Sequence, residues 1–217
     1  MWSFALFLGI LNTIGIIAFS ISGAMVAIDE ELDLFGVIFL GIITSMGGGV
    51  TRDLLLGLLP PHMFDSYTSL AMSMITSLLV FIIAYITRDY YKKHSAFIDS
   101  LNNIFDAAGL GVFTIAGMQI TAETGYGYNT FLLIFLGVTT GVGGGLIRDI
   151  IVSRKPMIFA KHIYAVASII GACIYLLCLR GGISATLSSL LGIAAIFTIR
   201  MLATVFKWNL PRIRFTA

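Results

Sequence analysis

Two arginine–aspartate pairs, each preceded by three glycines, lie in strongly apolar sequence. They are Gly47, Gly48, Gly49, Arg52 and Asp53 in the first copy and Gly143, Gly144, Gly145, Arg148 and Asp149 in the second. A charged side chain at the centre of a bilayer costs about 2.5–3.5 kcal/mol, and such residues usually face a transport route or pair with one another. These residue types favour the passage of a charged or polar species, through a pore or a transporter, over bond-making chemistry.

The charged residues of the two copies need partners inside the protein. Neighbouring positions on a helix point in different directions, so neither arginine is expected to reach the aspartate that follows it. We predict instead that Arg52 pairs with Asp149 across the two copies. Arg148 would pair in the same way with Asp53, or an arginine would pair with Asp106. The alternative is that these pairs are structural clamps that never touch the permeating species.

Asp106 is a further acidic residue deep in an apolar segment, and the matching position in the first half of the chain is the neutral Asn12. This asymmetry makes Asp106 a candidate contact for a cation. The alternative role is a hydrogen bond between two helices, which polar side chains commonly form in membranes.

The triple glycines are expected to weaken the helices that contain them. Each glycine costs about 1 kcal/mol relative to alanine in a helix, so we predict a break or kink at 47–49 and at 143–145. Freed carbonyl groups are tolerated in a membrane only where they are buried in protein or line a watery cavity, and there an ion could use them. The alternative is that the glycines simply allow two helices to pack closely.

Composition identifies the elements that must position these residues. Hydrophobic residues make up 58% of the 217 residues and charged residues only 11%, which is typical of an all-α integral membrane protein. A membrane helix needs roughly 20 mostly apolar residues. Seven segments satisfy this, at about 3–28, 34–58, 68–87, 100–122, 128–152, 162–179 and 182–206.

The first half of the chain repeats in the second half. Asn12, Gly15, Phe19 and Gly23 match Asp106, Gly109, Phe113 and Gly117 at a spacing of 94, and the glycine segments match at a spacing of 96, as do Pro60 and Pro156. Each repeat holds three spans, and an odd number of spans places the second copy upside down in the membrane. We therefore predict a repeat at 1–99, an inverted repeat at 100–181, and a seventh span with a basic tail at 182–217, whose span serves packing or oligomer formation.

The basic residues near the span ends predict the orientation. One face receives Arg88, Lys92, Lys93, Arg154, Lys155, Lys161, Lys207, Arg212 and Arg214, whereas the other receives essentially Arg180. Lysine and arginine concentrate in cytoplasmic loops, so the C-terminus is expected inside and the N-terminus outside a cell membrane. A net charge of only +2 gives no support to a nucleic-acid partner, and the basic loops are expected to meet anionic lipid headgroups.

Other kinds of site have no sequence support. The glycine runs lack the Gly-Lys-Ser/Thr ending of a phosphate loop, so nucleotide binding is not expected. His62, His94 and His162 are scattered without metal-ligand spacing. With neither a catalytic triad nor a carboxylate pair, we expect no enzyme activity, no metal and no cofactor.

The chain resembles the trimeric intracellular cation (TRIC) channel family, its prokaryotic branch in particular, in three features. These are the doubled glycine segments with Arg-Asp, the layout of three, three and one spans, and the run Asp106-Ala-Ala-Gly-Leu-Gly-Val-Phe. The resemblance covers nearly the whole chain. It implies a homotrimer with one pore per subunit, formed around glycine-kinked second and fifth spans, that passes monovalent cations, chiefly potassium and also sodium. The same prokaryotic domain is also called a glycine transporter, so a secondary transporter for glycine or another small zwitterion stays as the alternative.

Overall fold

The computed structural model of the protein describes residues 4–64, 67–160 and 163–208, and within these ranges it is helical with no strands. The helices are α1 Phe4–Asp29, α2 Leu34–Leu56, α3 Tyr67–Ile86, α4 Arg88–Lys93, α5 Ser95–Thr121, α6 Thr130–Ile151, α7 Met157–Ala160, α8 Ala165–Arg180 and α9 Ala185–Val205. Short 3-10 and π-helical segments, His62–Phe64 and Ala122–Tyr126, precede α3 and α6. Lys161, His162 and the basic tail after Trp208 lie outside the described residues.

The long helices agree with the predicted apolar segments. Six of them, α1, α2, α3, α5, α6 and α9, are long and apolar enough to cross a bilayer. The helix α8 is also apolar but has only 16 residues. The largest difference from the prediction is that α5 begins at Ser95, five residues before the apolar segment expected to start at about residue 100. The chain is therefore a multi-pass helical membrane protein.

The helices α2 and α6 end with the same C-terminal cap, formed by matching residues of the two repeats. Gly57, after α2, has a φ of 71°, and Ser153, after α6, has a φ of 55°. In each case the next amide bonds back to the aspartate carbonyl, from Leu58 to Asp53 at 2.9 Å and from Arg154 to Asp149 at 2.9 Å. The two charged pairs thus lie in the last turns of their helices, just before a reversal of the chain.

The helices α1 and α5 pack through reciprocal contacts. A Cβ on Gly15 would lie 2.9 Å from the Phe113 ring, and a Cβ on Gly109 would collide with the Phe19 ring. The centroids of these two rings are 5.3 Å apart. Reciprocal contacts of this kind are expected between two similar units related by a two-fold axis.

The expected breaks in α2 and α6 are not present, so the prediction of a broken helix is wrong, whereas a bend at the glycines stays a prediction. Both helices run without interruption through Gly47–Gly49 and Gly143–Gly145, and no glycine of either run has a positive φ. The glycines instead allow α2 and α6 to cross in close contact. A Cβ on Gly48 would overlap the carbonyl oxygen of Thr140, and one on Gly144 would overlap that of Thr44. Close packing therefore explains the glycines, and contacts at the crossing offset their low helix propensity.

Local hydrogen bonds also correct the alignment of the prolines. The amide of Phe64 donates to Pro61 at 2.9 Å, and the amide of Phe159 donates to Pro156 at 3.0 Å. Pro61, rather than Pro60, is thus the structural counterpart of Pro156. The two repeats keep the same short turn despite a one-residue difference in length.

The last helix, α9, packs against α5 and α8, as its small residues favour. A Cβ on Gly192 would lie 2.8 Å from the Ile115 side chain, and a Cβ on Gly171 would lie 2.8 Å from the Gly192 carbonyl oxygen. One face of α9 is therefore held within the chain against α5 and α8.

Candidate functional site

Two cavities lie on either side of the crossing between α2 and α6. The first, of about 290 Å³, is lined by residues that include Asn12, Gly49, Arg52, Asp53, Glu123 and Thr140. The second, of about 200 Å³, is lined by residues that include Val26, Asn103, Arg148, Asp149 and Arg154. Asn12 and Val26 lie 14 positions apart on α1, which corresponds to about 21 Å along the helix. The cavities are therefore near opposite ends of the bundle.

Each cavity contains one of the arginine–aspartate pairs. Both pairs are buried, with Arg52 and Asp53 exposing 5% and 1% and Arg148 and Asp149 exposing 1% and 3% of their surfaces. Because the four residues come from equivalent positions in the two repeats, the same chemistry recurs at both ends of the bundle. Between the cavities, the helices touch at Gly48 and Gly144.

In the first cavity, Arg52 binds the aspartate that follows it. Its Nε and Nη2 donate to Asp53 Oδ1 at 2.8 and 2.6 Å. The other carboxylate oxygen, Oδ2, accepts the backbone amide of His62 at 3.0 Å and lies 3.2 Å from the His62 ring nitrogen Nδ1. Asp53 thereby fixes both the arginine and the start of the short segment after α2.

The second cavity repeats this arrangement. Arg148 Nε donates to Asp149 Oδ1 at 2.8 Å, and Asp149 Oδ2 accepts the backbone amide of Met157 at 2.8 Å. The predicted pairing across the repeats is therefore wrong. An arginine side chain is long enough to fold back to its neighbour, and each aspartate is fixed by the reversed chain after its own helix.

The alternative pairing of an arginine with Asp106 is correct. Arg148 Nη1 lies 3.2 Å from Asp106 Oδ1 and also donates to Ser22 Oγ at 2.8 Å. Arg200 Nη2 lies 3.8 Å from the other oxygen, Asp106 Oδ2. Asp106 is fully buried between these two guanidinium groups, which would repel a cation. This arrangement favours the helix-linking role of Asp106 over the cation contact, which stays a prediction without a direct test.

Sequence reasoning missed three residues of this region: His62, Ser22 and Arg200. His62 was considered only as a metal ligand and set aside, and nothing in the sequence indicates its partner nine positions earlier. Ser22 is a small polar residue of a kind common in membrane helices. Arg200 carried a usable signal, because it is the charged residue of the predicted seventh span and intramembrane charges are rare.

An ionic contact lies beside the second cavity. Arg154 Nε binds Glu30 Oε1, and Arg154 Nη2 lies 4.0 Å from Asp29 Oδ2. The Tyr91 hydroxyl lies 3.4 Å from Asp29 Oδ1. Burial raises the pKa of Tyr91, so the hydroxyl stays protonated and donates to the carboxylate. These contacts connect the loop after α1 with the loop after α6 and with α4.

Within the described ranges, no group of three or more His, Cys, Asp or Glu side chains is placed to hold a metal ion. His62 and Asp53 form a pair with an arginine, which disfavours a bound cation at that point. The arrangement as a whole offers two cavities, each lined in part by a buried Arg-Asp pair, on either side of a tight helix crossing.

One family model and a bacterial relative both match most of this chain. A family model described as "Glycine transporter" matches residues 9–85 and matches again at 103–180, so the repeats are similar to the same model. The UPF0126 membrane protein YvgT of Bacillus subtilis (strain 168) is 33% identical over 206 residues, which cover 93% of this chain and 94% of the relative.

Solved structures extend the relationship to the fold. A prokaryotic TRIC channel, crystallised in 0.5 M KCl, is 34% identical with a TM-score of 0.83, over 95% of this chain and 100% of that one. The trimeric intracellular cation channel orthologue from Rhodobacter sphaeroides is 29% identical with a TM-score of 0.81, over 92% and 97% of the two chains. Both repeats of the chain thus match the model described as a glycine transporter, and by its similarity to the solved structures over nearly its full length the chain belongs to the prokaryotic TRIC channel family.

Proposed function

We propose that the protein is a channel for monovalent cations, chiefly potassium and also sodium, and not an enzyme. The observation that carries the proposal is the pair of cavities with matching Arg-Asp pairs on either side of the α2–α6 crossing. Similarity to solved cation channels of the same fold supports it. The path would be hourglass-shaped, with its constriction where Gly48 and Gly144 bring the helices together.

Movement at the constriction would open the path. At Gly48 and Gly144 the contacts between α2 and α6 are with backbone atoms, and only the Ile147 side chain lies over the neighbouring Gly47, so a small relative shift of the helices would part them. Selectivity among monovalent cations would be modest, because neither cavity presents the repeated carbonyl rings of a potassium filter. The paired charges would make the path polar without giving it a large net charge.

The proposed assembly is a homotrimer with one pore in each subunit, as in the TRIC channels that the chain resembles. Within each subunit, α1–α3 and α5, α6 and α8 would form two inverted repeats, and α9 would be the seventh span. The reciprocal contacts of α1 with α5 and of α2 with α6 support a two-fold relationship between these repeats. The basic loops would face the cytoplasm and its anionic lipids, with the N-terminus outside.

The deciding experiment is current through the purified protein in a planar bilayer under a potassium chloride gradient. We expect discrete unitary currents that reverse near the potassium equilibrium potential and do not change when glycine is added. If unitary current is absent and matched proteoliposomes accumulate glycine, the proposal is wrong and the cavities belong to a transporter.

Glu123 offers a test of the first cavity as an ion entrance. Its exposed carboxylate lines that cavity and would concentrate cations at the mouth of the path. We expect Glu123→Gln to lower the unitary potassium conductance roughly twofold at 0.15 M salt, because local potentials raise counter-ion concentration. The loss should disappear at about 1 M salt, where the Debye length is only about 3 Å.

The matched control for this test is Asp89→Asn. Asp89 is an exposed acidic residue of α4 and is absent from the lining of both cavities. The Asp89→Asn variant should have the same unitary potassium conductance as wild type at both salt concentrations. An equal loss in the two variants would mean that general surface charge, and not the first cavity, governs ion entry.

A further inference from the structure

The helix α9 buries a charge beside the second cavity. Arg200 is the only charged residue between Ala185 and Val205, and it is fully buried. Its Nη2 donates to Asn103 Oδ1 at 3.1 Å and lies 3.8 Å from Asp106 Oδ2. Its guanidinium carbon lies 4.5 Å from the centre of the Tyr164 ring. The last helix therefore reaches the charged cluster that Asp106, Arg148 and Asp149 of the second repeat form beside the second cavity.

The charges of this cluster balance only when Arg200 is counted. Arg148 and Asp149 neutralise each other, as Arg52 and Asp53 do at the first cavity. Asp106 adds a negative charge, whereas the first repeat has the neutral Asn12 at the matching position. The extra carboxylate and the extra guanidinium thus occur together, and only on the repeat against which α9 packs.

We propose that Arg200 sets the electrostatic potential of the second cavity by cancelling the charge of Asp106, and so determines how strongly the path prefers cations over anions. This inference rests on the proposed channel function. It assigns to α9 a role besides packing: α9 supplies the counter-charge for Asp106, a buried carboxylate whose counterpart in the first repeat is the neutral Asn12.

Arg200 is close enough to the cavity to act in this way. Asn103 and Arg148 line the second cavity. Behind them, Arg200 donates to Asn103, and Arg148 donates to Asp106. Charges buried behind such a wall are screened much less than exposed ones. Removing either charge would therefore alter the potential that a permeating ion meets.

The contact geometry of the pair also points to charge balance. Among the residues that the structure describes, Asp106 Oδ2 and the Nε and Nη1 atoms of Arg200 have no hydrogen-bond partner, and all three atoms are buried. Arg200 already bonds α9 to α5 through Asn103, so its approach to Asp106 is not needed to join the two helices. At 3.8 Å the two groups instead interact through their charges.

The test is a cycle of Arg200→Gln, Asp106→Asn and the double variant, each compared with wild type by reversal potential under a potassium chloride gradient. Arg200→Gln should raise the potassium-to-chloride permeability ratio by roughly threefold or more, the order expected for one poorly screened charge beside the path. Asp106→Asn should lower the ratio by a similar factor, and the double variant should restore the wild-type value. Arg200→Lys, which keeps the charge, should also match wild type.

The outcomes separate this inference from the proposed function. A wild-type protein without unitary current removes the channel function and, with it, the role of Arg200. A conducting wild type whose single variants shift the ratio in the same direction, or not at all, leaves the channel intact and overturns the inference. If one single variant fails to fold, the other single variant and the double variant decide together: a shifted ratio in the single variant with wild-type selectivity in the double variant supports charge compensation, and any other combination overturns it.

Discussion

Replacing Gly48 by alanine is expected to remove most of the folded protein, whereas replacing the adjacent Gly49 by alanine is not. A Cβ on Gly48 would overlap the Thr140 carbonyl oxygen, a backbone atom that cannot rotate away as a side chain does. Overpacking a tight contact costs about 1–3 kcal/mol and occasionally more, and we expect the upper end or beyond because two helix backbones must separate. Gly144→Ala should behave alike, since its Cβ would overlap the Thr44 carbonyl oxygen.

Gly49→Ala is the matched control for this prediction. The nearest atom to its added Cβ would be Arg52 Nη2 at 3.9 Å, which is ordinary van der Waals contact. Alanine favours a helix over glycine by about 1 kcal/mol, so this variant should fold at least as well as wild type. Thermal unfolding of the purified proteins in detergent, followed by unitary current from the folded fraction, measures both effects. Similar melting temperatures for the two variants would show that α2 and α6 are not in close contact at Gly48.

The sequence predicted the helices and the duplication well because both depend on patterns along the chain. Long apolar stretches indicate spans directly, and the spacing of 94 between Phe19 and Phe113 pairs two side chains that meet in the structure. The same spacing could not tell which residues of the two copies touch, since that depends on how the helices cross. This is why the glycine runs were expected to break helices that they instead bring together.

The charged site was predicted only in part, for reasons of side-chain reach. The positions of Arg52 and Arg148 were evident from their apolar surroundings, but helix geometry alone did not indicate that each would fold back to its neighbouring aspartate. The backbone amides of His62 and Met157 donate to the second carboxylate oxygen of those aspartates. A backbone donor cannot be recognised from the residue type, so the sequence did not indicate these contacts. Arg200 could have been found by treating it as an intramembrane charge in its own right.

Arg148→Gln is expected to destabilise the protein more than the equivalent change Arg52→Gln, although the repeats place both arginines alike. Arg148 contacts Asp149, Asp106 and Ser22, and its loss leaves two buried carboxylates with less compensation. Removing one partner of a buried ion pair costs about 3–5 kcal/mol, because the other charge is left behind without water.

Loss of Arg52 is better tolerated because its carboxylate keeps a second partner. Asp53 retains the amide and the ring of His62, whose side chain is 55% exposed and so connects the pair to solvent. We expect a cost of about 2 kcal/mol, typical of a lost hydrogen bond to a charged group. Melting temperatures of the two variants, beside Arg148→Lys as a charge-conserving control, measure the difference. Equal losses would mean that Asp106 contributes nothing to Arg148, and that the two ends of the proposed path are energetically as well as geometrically equivalent.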